Sequence, residues 1–436
     1  MLKKEVKAIT LLLSGIISII LGILIICNGI KILKLVTYLI SIQLILNGLF
    51  NALLPIFKKH KKYKALDIII KAAINIIFGL IIIFFNNYVL AIITLIFALY
   101  ILLIALVNFI SFIMYKINNI KGKFNLFLNF VINLLFAIIL TINPYMHIKY
   151  VLIILGVYLL LYGFKRILNF VTEIMPQKTR NKIKNNIEIP LPLLLAMILP
   201  KALIRSINEM LKVDTPEEYN FEKISQKPDL FVIIHLAKTG TASFGHMEIA
   251  YKDKIYSYGN YNKYSRKIFE AIGDGVILIA NKDKYIDYCV NKKERFLVEF
   301  GIALTNEQKV DVEKRINQLI NENTIDYYSD LELYEKGELD KTDFKDMSSE
   351  IYKYADGKYK KIINGKNKIF FVLKNNCAVV SQYILKGTGK SVISLNGIVS
   401  PGTYYDYLNS RFMMKNTNVI TRKLYAKEKI CQNCRK

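Results

Sequence analysis

Two residues, Cys377 and His246, have the side chains and the local context of a nucleophile and its base. Cys377 follows a short apolar strand, residues 369–373, and opens a segment whose apolar residues have helical spacing up to Gly387. The free N–H groups and the dipole at a helix N-terminus favour a thiolate over a thiol. With an imidazole in reach, such a thiolate could attack a carbonyl carbon while backbone N–H groups hold the oxyanion. The alternative is a buried structural cysteine.

The choice of His246 as the base follows from the positions of the histidines. Of the four histidines, His60 and His147 lie in the strongly apolar first part of the chain. His235 lies inside a continuous apolar strand, which predicts a packed core residue, whereas His246 follows Gly245 at the opening of a strand. We therefore expect the ring of His246 to project into a cleft.

The elements around these two residues predict an α+β domain over residues 215–415. Strands are predicted at 231–236, 246–251, 255–258 and 275–281, and a helix at 306–323. A basic tail, residues 416–436, follows and contains Cys431 and Cys434. This C-x-x-C pair supplies only two of the four ligands of a structural zinc, so neither a metal nor a cofactor is expected.

The composition divides the chain between two environments. Residues 1–172 carry 17 Lys or Arg and only two acidic residues, whereas the rest carries 43 basic and 32 acidic residues. The chain is 53% hydrophobic, and its mean hydropathy of +0.32 predicts membrane spans. Trp is absent, while Lys, Asn and Ile are abundant. This bias removes the basic charge as evidence for a nucleic-acid partner.

The first 172 residues predict a six-helix transmembrane bundle. The six apolar runs cover residues 8–30, 35–57, 65–85, 88–115, 124–142 and 150–171. Each reaches the roughly 20 residues that cross a bilayer. A motif at 15–22 recurs at 72–79 and 130–137, with offsets of 57 and 58 residues. The shared offset indicates three hairpin repeats, at about 8–57, 65–115 and 124–171.

Small and polar residues occupy matched positions in these repeats. The small-residue positions predict close approach of helix backbones. Ser18, Asn75 and Asn133 share another position and are expected to hydrogen-bond between helices. Residues 8–172 resemble the HdeD-like family of six-helix membrane proteins, on the Gly-containing repeat at 14–23. The resemblance implies that fold and a link to stress or acid resistance, without a defined chemistry.

The distribution of lysines predicts the orientation in the cell membrane. Eleven lysines lie on the side of the N-terminus and the second and fourth loops, whereas three, Lys31, Lys34 and Lys149, lie on the opposite side. By the positive-inside rule, both termini and the α+β domain of this multi-pass protein are expected to be cytoplasmic. Residues 173–214 form a basic linker in which 187–211, interrupted by prolines, is expected to lie at the membrane interface. A seventh span is the alternative for that segment.

The α+β domain resembles the circularly permuted NlpC-type papain-like hydrolases, which include lecithin:retinol acyltransferase-like enzymes. The resemblance covers about residues 228–410. It is carried by the Phe-Gly-His-Met-Glu-Ile sequence at 244–249, the hairpin ending at 255–260, the Asn-Asn-Cys sequence at 375–377 and residues 399–405. It implies a permuted papain-like fold with Cys377 as nucleophile and His246 as base.

Papain-like sites also have a third polar group that orients the imidazole. Three residues are candidates: Glu248 shares the strand face of His246, and Tyr258 and Asn260 lie at the end of the next strand. The sequence does not choose among them.

Two functions follow from these observations. The first is a membrane-anchored cysteine hydrolase or acyltransferase that acts on an amide, ester or thioester at the cytoplasmic membrane face. Its partners are the lipid bilayer and a lipid, lipidated or peptide substrate. The alternative is a non-catalytic HdeD-like stress protein whose soluble domain binds a ligand. A polar third group beside His246 would favour the enzyme, and an apolar wall would favour the binding protein.

Overall fold

The computed structural model describes residues 2–57, 65–174, 221–222, 227–236, 245–340, 343–388, 401–413 and 417–427. The chain divides into two compact units, one made of apolar helices and one built on a β-sheet. The predicted interfacial segment 187–211, most of the linker and the cysteine pair of the tail lie outside the described residues.

The first unit consists of long apolar helices. They are α1 (Leu2–Phe57), α2 (Ala65–Phe84), α3 (Asn86–Ile117), α4 (Lys123–Ile142) and α5 (Pro144–Ile174). Asn28 interrupts α1 with a non-helical backbone, at φ −133° and ψ 29°. In the described part of the chain, four of these helices are long and apolar enough to cross a membrane, and Ile68–Phe84 is a shorter apolar helix. The unit therefore has the properties of a membrane protein.

Small residues bring the helices of this unit close together. The contact recurs three times at matched repeat positions, in the pairs Gly22–Gly156, Ser41–Gly79 and Ala98–Ala137. A Cβ atom added at Gly22 or at Gly79 would lie only 2.9 Å from a carbonyl oxygen of the facing helix. The first half of α1 thus faces α5, its second half faces α2, and α3 faces α4. The first helix therefore contacts the last helix of the unit.

The predicted hydrogen bonds between helices are wrong at two of the three positions. The side chains of Ser18 and Asn133 each bind the carbonyl oxygen four residues earlier in their own helix, at 2.7 and 2.6 Å. Short polar side chains reach this acceptor without any partner helix. Ser41 Oγ instead donates to the carbonyl of Gly79 across the α1–α2 contact, at 2.9 Å.

The second unit is a mostly-strand domain built on a nine-stranded sheet. The strands are β1 (Phe221–Glu222), β2 (Leu230–Leu236), β3 (His246–Tyr251), β4 (Lys254–Gly259), β5 (Ile272–Asp274), β6 (Val276–Asn281), β7 (Phe296–Ile302), β8 (Thr324–Tyr327), β9 (Lys358–Ile362), β10 (Ile369–Phe371) and β11 (Val419–Tyr425). Their order is β1-β11-β7-β2-β3-β4-β6-β9-β8, with β10 and β5 forming a separate pair. Each pairing among the described strands is antiparallel.

Helices cover both faces of the sheet. They are α6 (Lys282–Asp287), α7 (Asn306–Asn321), α8 (Asp330–Glu335), α9 (Met347–Ala355), α10 (Cys377–Leu385) and α11 (Pro401–Met413). Alternation along β2 divides its side chains: Val232 and Ile234 pack with α7, α10 and α11, and Ile233 packs with α6 and α9 on the other face. The apolar strands therefore form the middle layer of the domain.

Helix α10 lies against the end of β3 that is paired with β2 but not with β4. The ladder between β3 and β4 covers only Ile249–Tyr251 on the β3 side. Before that point, Ser381 Oγ of α10 donates to the carbonyl of Met247 at 3.2 Å. The start of α10, with Cys377, is thereby held beside the first residues of β3.

Candidate functional site

Cys377 is the first residue of α10 and is 5% exposed. The side chain of Asn376 caps the helix by accepting from the N–H of Val379 at 3.2 Å, and it also donates to the carbonyl of Val372 at 3.0 Å. The N–H groups of Cys377 and Ala378 belong to the first turn, where helix geometry provides no acceptor within the helix. Such N–H groups could donate to the oxyanion that forms on a carbonyl oxygen when the sulfur adds to the carbonyl carbon.

His246 lies close to Cys377. Its imidazole is hydrogen-bonded to the Cys377 side chain. The Nε2 atom lies 2.8 Å from Ser257 Oγ and 3.2 Å from Glu248 Oε1, which leaves Nδ1 for the thiol. With 21% of its side chain exposed, His246 is more open to solvent than the carboxylate behind it.

The pKa of His246 reflects these contacts. Burial alone would lower it, but the negative charge and hydrogen bond of Cys377, together with Glu248, outweigh burial and raise the pKa to about 10. A pKa of about 10 keeps the imidazole protonated at neutral pH. The arrangement places the Cys377 side chain on one side of the imidazole and the Glu248 carboxylate on the other.

Glu248 is fully buried and connects three side chains. Its Oε1 accepts from the hydroxyl of Tyr285 at 2.6 Å and faces His246, and its Oε2 lies 2.8 Å from His235 Nε2. Burial would raise the pKa of this carboxyl group, but the two histidines hold it well below its usual range. The carboxylate is charged and has donors on both oxygens.

His235 is the residue whose surroundings the sequence did not reveal. It is buried, as alternation predicted, yet it is not merely packed, because its Nε2–H donates to Glu248. Desolvation by burial lowers its pKa despite the nearby carboxylate. Among the described residues none hydrogen-bonds to its Nδ1 atom, which fits a neutral ring protonated on Nε2.

The other two candidates for the third polar group have different partners. The hydroxyl of Tyr258 donates to the carbonyl of Asn367 at 2.9 Å, and the amide of Asn260 donates to the carbonyl of Ile272 at 3.2 Å. Ser257, on β4 next to Tyr258, contacts His246 instead. A serine in a strand gives no sequence pattern that would have identified it.

In the part of the chain that the structure describes, no group of three or more His, Cys, Asp or Glu side chains could hold a metal ion. The polar cluster at Cys377 instead has the composition of a thiol–imidazole–carboxylate relay.

Comparison with known proteins identifies one segment. Residues 13–84 match the family described as a short repeat of unknown function (DUF308). These residues include the second half of α1 and all of α2, whose small-residue contact is described above. The match supports the HdeD-like short-repeat resemblance for this segment and, with the apolar helices, a membrane protein. No curated protein and no solved structure matches the chain.

Proposed function

We propose that this protein is a membrane-anchored cysteine hydrolase or acyltransferase with Cys377 as nucleophile and His246 as acid and base. The thiolate attacks the carbonyl carbon of an amide, ester or thioester, and the N–H groups that open α10 hold the oxyanion. His246 gives its proton to the leaving group, so a thioester forms on Cys377. Water or another acceptor then gives a proton to His246 and takes the acyl group, and the thiolate returns.

The observation that carries this proposal is the unbroken contact from Cys377 through His246 to Glu248. A structural cysteine does not require a protonated histidine beside it, nor a buried carboxylate behind that histidine. The polar surroundings of His246 favour the enzyme over the ligand-binding alternative, for which an apolar wall was expected. Glu248, together with Ser257, acts as the third polar group that orients the imidazole.

The fold of the sheet domain and the membrane topology are part of the same proposal. A helix that begins at the cysteine and packs against a histidine-bearing strand supports the permuted papain-like fold. The break at Asn28 and the recurring small-residue contacts support six spans in three repeats. The lysine distribution supports cytoplasmic termini and a cytoplasmic sheet domain. A site tethered to a bilayer is suited to lipid or lipidated substrates.

The test follows alkylation of Cys377 by iodoacetamide from about pH 4 to about pH 9, with peptide mapping of the detergent-purified full chain. We expect rapid labelling below pH 7 that His246→Ala slows by about tenfold or more, because most of the thiolate is lost. His147→Ala is the matched histidine control and should leave the rate unchanged. Cys289 is an internal control, since burial raises the pKa of its thiol to about 12.

The second arm incubates the protein with acyl thioesters and p-nitrophenyl esters. Mass spectrometry should detect the acyl group on the Cys377 peptide, and Cys377→Ala should abolish turnover. Labelling that rises only near the ordinary thiol pKa of about 8.5, with no acylated peptide, would contradict the proposal. The ligand-binding alternative would then be preferred.

A further inference from the structure

A hairpin tip between β4 and β5, residues 267–272 (the 267–272 tip), carries exposed apolar side chains. Phe269 is 95% exposed and Ile268 is 58% exposed. The tip is closed by the pair Lys267 and Ile272, with the N–H of Lys267 donating to the carbonyl of Ile272 at 2.8 Å. Side chains of this size rarely project into water at adjacent positions without an interaction role.

The backbone holds these side chains outward at a conformational cost. Ile268, Phe269 and Glu270 have φ angles of 49°, 51° and 64°, and the N–H of Ala271 donates to the carbonyl of Ile268 at 3.0 Å. Such a turn suits asparagine and glycine, and a β-branched residue is a poor fit to positive φ. Backbone strain of this kind concentrates at functional sites. The tip is therefore a fixed turn that presents Phe269.

The charges around the tip are basic or neutralised. Lys267 is exposed beside the apolar pair. The acidic residue of the tip, Glu270, forms an ion pair with Arg266 at 3.1 Å. An aromatic and an aliphatic side chain next to an exposed lysine match the boundary between lipid headgroups and acyl chains, where aromatic rings and cations both find partners.

We propose that the 267–272 tip inserts Phe269 and Ile268 into the surface of the bilayer that the apolar helices of the same chain span. The sheet domain and those helices belong to one chain, so the tip is tethered to any bilayer that the helices span. Lys267 would lie among the headgroups, where anionic lipids strengthen the contact. The tip is thus a second, reversible membrane contact in addition to the spans.

The tip is connected to the segment that leads to Cys377. Strand β5 begins at Ile272 and pairs with β10, and the N–H of Val372 donates to the carbonyl of Ala271 at 3.0 Å. Five residues later the chain reaches Cys377. The insertion does not depend on the chemistry proposed for Cys377, so either proposal can fail without the other.

The absence of Trp from the chain makes a single-site reporter possible. The full-length Phe269→Trp variant is reconstituted into liposomes of phosphatidylcholine, with and without phosphatidylserine. Its fluorescence is then measured with ordinary lipids and with lipids brominated on the acyl chains. The matched control is Val310→Trp, on the surface of α7, where the native side chain is 67% exposed.

We expect the emission of the Phe269→Trp variant to be shifted to shorter wavelength and to fall at least about twofold with brominated lipids, while the control emission stays unquenched. Stronger quenching with phosphatidylserine would establish that Lys267 binds anionic headgroups, and Lys267→Gln should remove that increase. Emission typical of a water-exposed tryptophan, without quenching by the brominated lipids, would overturn the proposal. So would equal quenching at both positions, or a blue shift without lipid quenching, which would indicate a protein contact.

Discussion

His235 and His246 lie on the two sides of the Glu248 carboxylate, yet their pKa values shift in opposite directions. His235 and His246 are directly opposite each other on β2 and β3, and their rings are 5.5 Å apart. Both are near the same buried carboxylate, yet the pKa of His235 is lowered and that of His246 is raised to about 10. Two influences separate them: Cys377 raises the pKa of His246, whereas the charges of His246 and Arg295 lower that of His235.

Desolvation is the largest influence on the pKa of both rings. At His235, Glu248 does not overcome desolvation together with the charges of His246 and Arg295. The charge of Cys377 reverses the balance at His246. The pKa of His246 therefore depends on Cys377, and substitutions around the ring test this dependence.

Cys377→Ala should have the largest effect on the pKa of His246. Without the thiolate, burial should dominate, and the pKa should fall from about 10 to the range of His235 or near the ordinary value of about 6.5. Histidine ring resonances of the isotopically labelled protein in detergent, followed through a pH titration, measure this change. A pKa that stays near its wild-type value would show that Glu248 alone sustains the charge.

The same pair makes stability depend on pH. The folded-state pKa of His246 is raised, so its stabilisation is complete below about pH 6.5 and is lost as the pH rises through about 10. The wild type should therefore lose more stability over this range than Cys377→Ala. Labelling of the buried Cys289 thiol in increasing urea reports the unfolding of the domain.

Glu248→Gln should lower the free energy of unfolding by about 3 kcal/mol, because it leaves the buried His246 charge with one partner fewer. The readout is again the urea midpoint of Cys289 labelling. Glu313→Gln is the matched control: that carboxylate also accepts from a tyrosine hydroxyl, at 2.8 Å, but is 41% exposed. A loss below about 1 kcal/mol, similar to that of a surface pair, would contradict the importance of the buried carboxylate.

His235→Leu should cost about 2 kcal/mol, since it leaves one oxygen of Glu248 without its donor. His235→Gln, which keeps an N–H donor near that position, should recover part of the loss. The urea midpoint distinguishes the two variants. Equal losses would show that the packing of the ring matters and its hydrogen bond does not.

Ser257→Ala should have the smallest effect, about 1 kcal/mol or less, because Glu248 remains as an acceptor for His246 Nε2. The pKa of His246 should move only slightly in the ring titration. A fall comparable to that in Cys377→Ala would make the hydroxyl, rather than the carboxylate, the main support of the imidazolium.

The sequence placed Cys377 and His246 in elements that the structure brings into contact, because helix starts and strand openings have local patterns. It left Glu248 among three candidates, since the choice depends on which side chains turn toward the ring. His235 was expected to be buried, and it is. Its partnership with Glu248 depends on the β2–β3 register, and strand register is not encoded in either strand alone.

In the membrane unit too, local patterns could be predicted from the sequence, whereas contacts between elements could not. The repeat offsets identified the small-residue positions, which depend only on spacing along the chain. They did not say which helices meet, and Ser18 and Asn133 bind their own helices instead of a neighbour. The 267–272 tip was not predicted, because Phe269 and Glu270 are residues that the turn disfavours.

The contact between the first half of α1 and α5 has a consequence for biosynthesis. Gly22 meets Gly156, which is 134 residues later in the chain. At translation rates of roughly 5–20 residues per second, the first helix waits on the order of ten seconds for this partner. During that interval its small-residue face is open to lipid or to insertion factors. The contact between these two helices therefore forms only after α5 has been synthesised.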